Sequence, residues 1–341
     1  MSLKNLNVSK IPKKFKLKLS NKKIKKLFNK FEKNFDIQGA FIVGVSGGPD
    51  SLALAYLTKL YSIKHGLKCK YCIVDHKLRP ESTNEAKKVK NILKDFDIKV
   101  ETLSWNGKKP QKNIQSLARE KRYELLVSKC KKYRISNLVV GHHLDDLFEN
   151  FFIRMIRGSG LKGLVSLEKK VKLNTINLIR PLLDMEKKDL EFISKNVFNF
   201  FVIDPTNQDD KYQRIKIRKI INEFKKNGLD KEKLFLTLKN LKKSDQALKY
   251  YVEQNMKSNS FFHKNARELI INQIFFTHPY EVVFRSFSDS LKLIGDKYYP
   301  ARGKKIDYVL DKIKKKTLKK ETLAGCVIKS VNQTVIIVKE K

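Results

Sequence analysis

A strand, a glycine turn and the start of a helix within residues 40–57 constrain this chain more than any other stretch. The apolar run Ala40-Phe41-Ile42-Val43-Gly44-Val45 has the length and composition of a buried strand. Ser46-Gly47-Gly48-Pro49-Asp50-Ser51 follows, and Leu52-Ala53-Leu54-Ala55-Tyr56-Leu57 opens a helix. Two adjacent glycines let the backbone turn sharply and approach a ligand closely. The helix points unsatisfied N–H groups and its positive dipole end at the turn, which makes an anion site built mostly of backbone. Ser46 and Ser51 add hydroxyl donors. Asp50 repels phosphate unless a divalent cation lies between them, so it is the candidate Mg2+ ligand. A lone Gly-Gly is usually an ordinary strand–helix turn; the whole hexapeptide in this setting is far more specific. It carries neither a Gly-Lys-Ser/Thr ending nor a GxGxxG pattern.

The length of 341 residues allows two domains with proper cores, and 41% apolar residues suits a folded chain. A net charge of +39 predicts a polyanionic partner or a very basic surface. Lysine supplies most of that excess, and Asn, Ile and Phe are also abundant, as A/T-rich coding would give. The sign of the charge therefore supports RNA binding, while its size overstates the case. Four cysteines are too few for a disulfide framework, and a reducing cytoplasm fits. Cys69-Lys70-Tyr71-Cys72 has CxxC spacing, but in a strand positions i and i+3 face opposite sides. Buried structural cysteines are favoured over a metal site. The basic N-terminus has no apolar leader behind it and no run approaches a membrane span, so a cytoplasmic protein is expected.

Along the chain, strand and helix alternate, which argues a doubly wound, mostly parallel α/β sheet. Residues 1–35 read as a basic extension and a helix capped by Ser20 or Asn21, with Ile24, Leu27, Phe28 and Phe31 on one face. Residues 36–218 read as the catalytic domain, and 219–341 as a helical linker with a small C-terminal domain. A strand Lys70–Val74 ends in Asp75 and His76, on the edge where open α/β sheets bind ligands. Ser82-Thr83-Asn84-Glu85 has capping-box spacing and starts a helix. A third strand covers Ile98–Trp105, and a helix from Asn113 to about Tyr133 sets Arg119 and Arg122 on one face. A strand at Asn137–Val140 breaks at Gly141 into His142-His143-Leu144-Asp145-Asp146, with Glu149 three residues on. Asp146 and Glu149 then point one way, which is costly without a cation between them, either magnesium or a substrate ammonium. Three glycines at 158, 160 and 163 read as a mobile loop or second anion cradle. Asp204-Pro205-Thr206-Asn207 reads as a turn, and a long helix from Tyr212 places Arg214 and Arg218 on one face. Farther on, apolar helices are expected around Glu268–Ile274 and Tyr280–Leu293, then a closing hairpin turning at Val331-Asn332-Gln333.

These strings together carry a resemblance. Ser-Gly-Gly-Pro-Asp-Ser is similar to the pyrophosphatase loop of enzymes that split ATP into AMP and pyrophosphate. With Val-Asp-His-x-Leu-Arg, Ala-Arg-x-x-Arg-Tyr, Gly-His-His-x-Asp-Asp-x-x-Glu and Arg-Gly-x-Gly-x-x-Gly-Leu, the chain resembles the tRNA(Ile)-lysidine synthases from about residue 40 to 220, and more weakly to the end. Leu147 and Asn150 stand where that family usually has Gln and Thr, and Ile215 where it has Asn. The resemblance implies a PP-loop, Rossmann-like domain followed by a smaller, mainly helical, tRNA-binding domain. It implies ATP and Mg2+ as cofactors, a tRNA(Ile) with anticodon CAU as partner, and free L-lysine as co-substrate. The ATP site would comprise Ser46, Gly47, Gly48, Pro49, Asp50, Ser51, Asp75, His76, Arg119, Gly141, His142 and Arg214. Catalysis would fall to Asp50, Arg122, Asp146 and Glu149, with the two later carboxylates orienting and deprotonating lysine. A homodimer is among the assemblies this allows.

Three rivals differ in what they need. A tRNA thiolase on the same loop needs reactive cysteines, for which the strand-bound CxxC is a poor candidate. An ammonia-using synthetase would bring a glutaminase domain, which is absent from this sequence. A non-enzymatic basic RNA-binding protein leaves the clustering of Asp50, Asp146 and Glu149 at strand ends unexplained.

Overall fold

Phe41, Val43 and Val45 alternate with Ile42 along one strand, and the two sets enter separate apolar clusters on opposite faces of a sheet. That alternation organises the first of two compact units in a computed structural model of the chain, spanning 1–229 and 230–341. The structure describes residues 11–105, 107, 114–173, 175–202, 213–263, 267–296 and 301–340. The first unit contains, in order, α1 (Lys13–Leu19), α2 (Lys22–Asn34), β1 (Phe41–Val45), α3 (Pro49–His65), β2 (Cys69–Asp75), α4 (Ser82–Lys94) and β3 (Val100–Ser104). Then come α5 (Ile114–Lys132), β4 (Asn137–Val139), α6 (Leu144–Ile156), α7 (Leu161–Leu164), β5 (Lys170–Leu173), β6 (Ile176–Ile179), α8 (Lys187–Phe198) and α9 (Gln213–Lys226).

The sheet order is β3-β2-β1-β4-β6-β5, parallel throughout except for the antiparallel edge strand β5. The chain leaves β1 toward β2 and β3, then crosses back to β4 on the other side. Ligands of open α/β sheets bind at such a switch point, outside the carboxyl ends of the strands. The turn after β1 and the turn after β4 therefore face each other by topology alone. Helix α2 forms as its sequence predicts: Asn21 accepts from the amides of Lys23 and Ile24, and Ile24, Leu27, Phe28 and Phe31 are buried. The preceding residues add α1, whose Phe15 stacks on Tyr56 at 5.4 Å. The two CxxC thiols diverge as expected, Cys69 packing against one cluster and Cys72 lying inside the other.

The second unit contains α10 (Lys231–Asn259), β7 (Ser260–His263), β8 (Glu268–Ile271), α11 (Tyr280–Gly295), α12 (Gly303–Lys314), β9 (Lys320–Leu323), β10 (Cys326–Val331) and β11 (Thr334–Lys339). Its five-stranded antiparallel sheet has the order β7-β8-β11-β10-β9. The closing hairpin forms where the sequence places it, with Asn332 and Gln333 both at positive φ. The expected helix at 268–274 is instead strand β8 and a short 3-10 turn at Gln273–Phe276. The sequence reading puts the boundary between 218 and 219, within α9; the first unit instead takes in the whole of α9, which packs on α6: Phe224 lies 5.6 Å from Phe152, and Arg218 pairs with Glu149. The turn read at 204–207, with Asn113 and Tyr212, lies outside the described residues.

Candidate active site

The loop after β1 is held by its own side chains. Gly47 has φ +86°, and its carbonyl accepts from the Val202 amide at 3.0 Å. A Cβ built there would lie 2.7 Å from Val89 Cγ2 and 3.1 Å from Val202 Cγ2. Gly48 caps α3 in extended conformation, with Pro49 in the first helical position, where its missing N–H costs nothing. Ser194 Oγ donates to the Pro49 carbonyl at 2.6 Å. The Ser51 hydroxyl is buried; it accepts from the Ser46 amide at 3.0 Å and donates to the Gly48 carbonyl at 3.0 Å. Ser51 thus fixes the loop's shape, whereas the sequence alone had made it a phosphate donor. Ser46 Oγ lies 3.2 Å from Ser51 Oγ. Gly47→Ala should raise the KM for ATP roughly tenfold and lower the melting temperature by a few degrees, since a left-handed non-glycine residue costs about 1–2 kcal/mol before any clash. Steady-state kinetics and thermal denaturation check this; unchanged values in both would show that Val89 and Val202 give way freely.

Beside the loop lies a cavity of about 300 Å³ that brings together Ser46, Asp50, Arg119, Arg122, His142 and Arg214. Gly141 closes the β4 side: a Cβ there would sit 3.5 Å from the Asp50 backbone. Two of the arginines are held by imidazoles. Arg119 Nη2 lies 3.1 Å from His142 Nε2 and donates to Tyr123 Oη at 3.4 Å, while Arg122 Nε donates to His76 Nε2 at 3.3 Å. Burial pushes His142 down to about 3, against Asp146 and with Arg119, Arg180 and Arg214. Burial and Arg122 push His76 down to about 4. Both rings are neutral at pH 7, and a neutral imidazole fixes a guanidinium without cancelling its charge. A cavity lined this way suits a phosphorylated ligand.

His143 gathers three carboxylates. Its Nε2 lies 3.5 Å from Asp50 Oδ2 and 3.6 Å from Asp146 Oδ2, and its Nδ1 lies 3.8 Å from Asp145 Oδ2. Burial alone would lower this imidazole, but Asp50, Asp146 and Asp145 together raise it to about 9. Asp146 also closes on the start of α6, its carboxylate accepting from the His143 amide at 3.0 Å. Burial raises the Asp146 carboxyl, and protonated His143, by its charge and its backbone amide, outweighs it together with Arg214 and holds it below the usual range. Asp50 Oδ1 is buried without a partner among the described residues.

The two carboxylates expected to share a cation each also meet one from the chain, Asp146 beside His143 and Glu149 with Arg218. Glu149 is buried, and Arg218 Nε donates to its Oε1 at 2.5 Å. Burial raises the Glu149 carboxyl, with Arg218 pulling the other way. Arg214, four residues before Arg218, lines the cavity instead. Asp75 is committed to its own loop. Its carboxylate accepts from the Lys77 amide at 3.0 Å, Ser82 Oγ at 2.9 Å and Thr83 Oγ1 at 2.7 Å. The capping box read at 82–85 is therefore not made: Ser82 and Thr83 turn to Asp75, and Glu85 pairs with Arg79 at 3.1 Å. The glycine run at 158–163 folds into a turn and the short helix α7. Ile215, where a resembling family has Asn, is buried.

Two residues of the site were missed from sequence. The sequence reading assigns His142 and not His143 to the site, and nothing local announces the contact of His143 with Asp50. Arg180 is buried one residue past β6; its Nη1 donates to the Glu168 carbonyl at 2.8 Å, and its Nε has no partner among the described residues. Its place at the carboxyl edge of the sheet was the available signal. Among the described residues no group of three or more His, Cys, Asp or Glu is arranged to hold a metal ion.

A family described as the PP-loop domain matches residues 17–224. A tRNA(Ile)-lysidine synthase of Wolbachia pipientis is 32% identical over 87% of this chain and 70% of its own length. A tRNA(Ile)-lysidine synthase of Orientia tsutsugamushi is 31% identical over 92% of this chain and 71% of its own length. Among solved structures, a U34-tRNA thiolase from Methanococcus maripaludis with its [4Fe-4S] cluster superposes with a TM-score of 0.55. It is 16% identical and covers 65% of this chain and 78% of its own, which is a likeness of fold.

Proposed function

The chain belongs to the tRNA(Ile)-lysidine synthase family of PP-loop proteins, and from that premise we propose how its cavity makes lysidine. The enzyme is an ATP-dependent ligase acting on tRNA. The reacting base is the wobble cytidine of anticodon CAU. Leaving its stack costs little in a single-stranded loop. The cytosine O2 attacks the α-phosphorus of ATP and pyrophosphate departs. The amine of free lysine then attacks C2, and AMP leaves with that oxygen. Adenylation is needed because the bare oxygen is a poor leaving group.

The observation that carries this reading is the cavity itself, where the loop after β1 meets Arg119, Arg122, His142 and Arg214. Backbone amides at the start of α3 would bind phosphate, and Arg119 and Arg122 would steady the adenylated intermediate. Arg214 would contact a nucleotide or RNA phosphate. Mg2+ fits Asp50, whose partnerless buried Oδ1 is a hard oxygen donor, and magnesium is commonly held by one or two carboxylates plus phosphates. Bound there, it would neutralise charge on the departing pyrophosphate. Asp146 and Glu149 would hold the lysine ammonium and help remove its proton, since only the neutral amine attacks. The cytoplasm is the proposed location, a homodimer the proposed assembly, and the second unit a tRNA-binding domain. No helix among the described residues is long and apolar enough to cross a membrane. The thiolase reading is disfavoured because burial raises Cys72 to about 12 and Cys130 to about 11, far from reactive thiolates.

The test incubates the protein with labelled lysine, ATP, Mg2+ and an anticodon stem-loop carrying CAU, beside a UAU control. Lysine should enter only the CAU loop, with AMP formed. AMP release with a sulfur donor and no lysine incorporation would favour the thiolase, and binding without ATP turnover would leave an RNA-binding protein.

A further inference from the structure

Helices α6 and α9 each carry site residues in one part and exposed apolar side chains in another. On α6, Asp146 and Glu149 belong to the site, whereas Met155 and Ile156 are 46% and 57% exposed. On α9, Arg214 lines the cavity and Arg218 holds Glu149, whereas Ile220 and Phe224 are 38% and 45% exposed. The two pairs flank one contact between the helices. Phe224 lies against Phe152 at 5.6 Å, Met155 and Ile156 follow Phe152 by one turn of α6, and Ile220 precedes Phe224 by one turn of α9. From Glu149 to Ile156 the helix rises about 10 Å, a span that the nucleotides next to an extruded base cover. Clustered exposed apolar residues of this size mark an interaction site.

The patch is edged with positive charge. Arg154 and Arg157 flank Met155 and Ile156 in sequence, and exposed Lys216 precedes Ile220 by four, giving the stripe Lys216–Ile220–Phe224 along one face of α9. Apolar and aromatic surface bordered by cations suits neither a lipid tail nor an acidic peptide as well as it suits unstacked bases on a phosphate backbone. We propose that this α6–α9 patch is the seat of the single-stranded RNA bases adjoining the one that enters the cavity, with Phe224 as a stacking platform and Lys216 on the backbone. The proposal rests on the RNA-modifying reading above and adds to it where the neighbouring bases lie.

Phe224→Leu keeps an apolar contact to Phe152 but removes the stacking face. The probe is a CAU stem-loop with 2-aminopurine replacing the adenine, a fluorophore quenched or released by changes in stacking. Wild-type protein should change its fluorescence on binding; Phe224→Leu should abolish most of that change and raise the KM for the stem-loop roughly tenfold. Turnover at saturating RNA and the melting temperature should stay near wild type. Lys216→Ala should lower the slope of log affinity against log salt by about one. Wild-type KM and fluorescence in Phe224→Leu would overturn the proposal. So would a shift from dimer to monomer in sedimentation with the fluorescence change intact, which would give the patch to a second copy. If wild-type protein binds the loop but never transfers lysine, the functional reading fails, while the Phe224 effect on fluorescence still decides the seat.

Discussion

Asp50→Asn is expected to cut AMP formation by roughly 100- to 1,000-fold while the protein stays folded. The substitution is nearly isosteric and sits in the first turn of α3, where asparagine loses only a few tenths of a kcal/mol of dipole interaction. What it removes is charge. Asp50 presents a buried oxygen with no partner among the described residues and sets its other oxygen 3.5 Å from His143. Losing that carboxylate removes the best candidate to hold Mg2+ against the phosphates. It also strips His143 of one of the three carboxylates that keep it protonated. Pyrophosphate release, measured against Mg2+ concentration, should fall at every concentration and need more metal to recover. Near-normal release at ordinary Mg2+, in a variant with an unchanged melting curve, would take Asp50 out of the chemistry.

The parts of the site legible in the sequence were those carried by consecutive residues. Gly47, Gly48 and Asp50 could be placed because strand, turn and helix follow one another within residues 41–57, and each element announces itself by periodicity or composition. The turn after β4 was legible for the same reason, and the strand order then made the two turns neighbours. The pairings across these segments were not legible. His143, at the start of α6, meets Asp50 at the start of α3, and Arg218 reaches Glu149 from another helix. Spacing showed that Asp146 and Glu149 share a helix face, but not that each already has its own cation. Asp75 shows the converse error: the edge position was right, while the side chain turns inward because Ser82, Thr83 and the Lys77 amide supply donors.

In the fold, the misread segments were short ones. The β8 sequence Glu-Leu-Ile-Ile carries too few residues to separate strand from helix by period, and its pairing with β7 and β11 decided the matter. Edge strand β5 alternates lysine with Val171 and Leu173, a pattern with little apolar content to announce it. Lysines are also a common means of keeping an edge from pairing with other chains. The long helices α9 and α10 were visible as helices, yet the unit boundary between them was not. It depends on Phe224 packing against Phe152, a contact between distant segments that composition does not encode.

Arg218→Met should give the second large effect, and it separates stability from catalysis. Glu149 is buried, and Arg218 Nε donates to it at 2.5 Å. Removing one member of a buried pair strands the other charge, at a cost of about 3–5 kcal/mol in the interior. Arg218 keeps 36% of its side chain exposed, so solvent screening brings the expected loss nearer to 2 kcal/mol. Without the arginine, burial is left unopposed and the Glu149 carboxyl rises further. A carboxylate needed in its ionised form is then recovered only at higher pH. Lysine transfer should therefore fall about 100-fold at neutral pH, with its rising limb displaced upward. The double variant Glu149→Gln, Arg218→Met should regain most of the lost stability, because no bare charge remains, yet stay inactive in lysine transfer. Single-turnover assays on pre-adenylated RNA, run beside denaturant titrations, separate the two quantities. If the double variant regained lysine transfer together with stability, Glu149 would be a structural anchor for α9, and the lysine ammonium would have to be held by Asp146 alone.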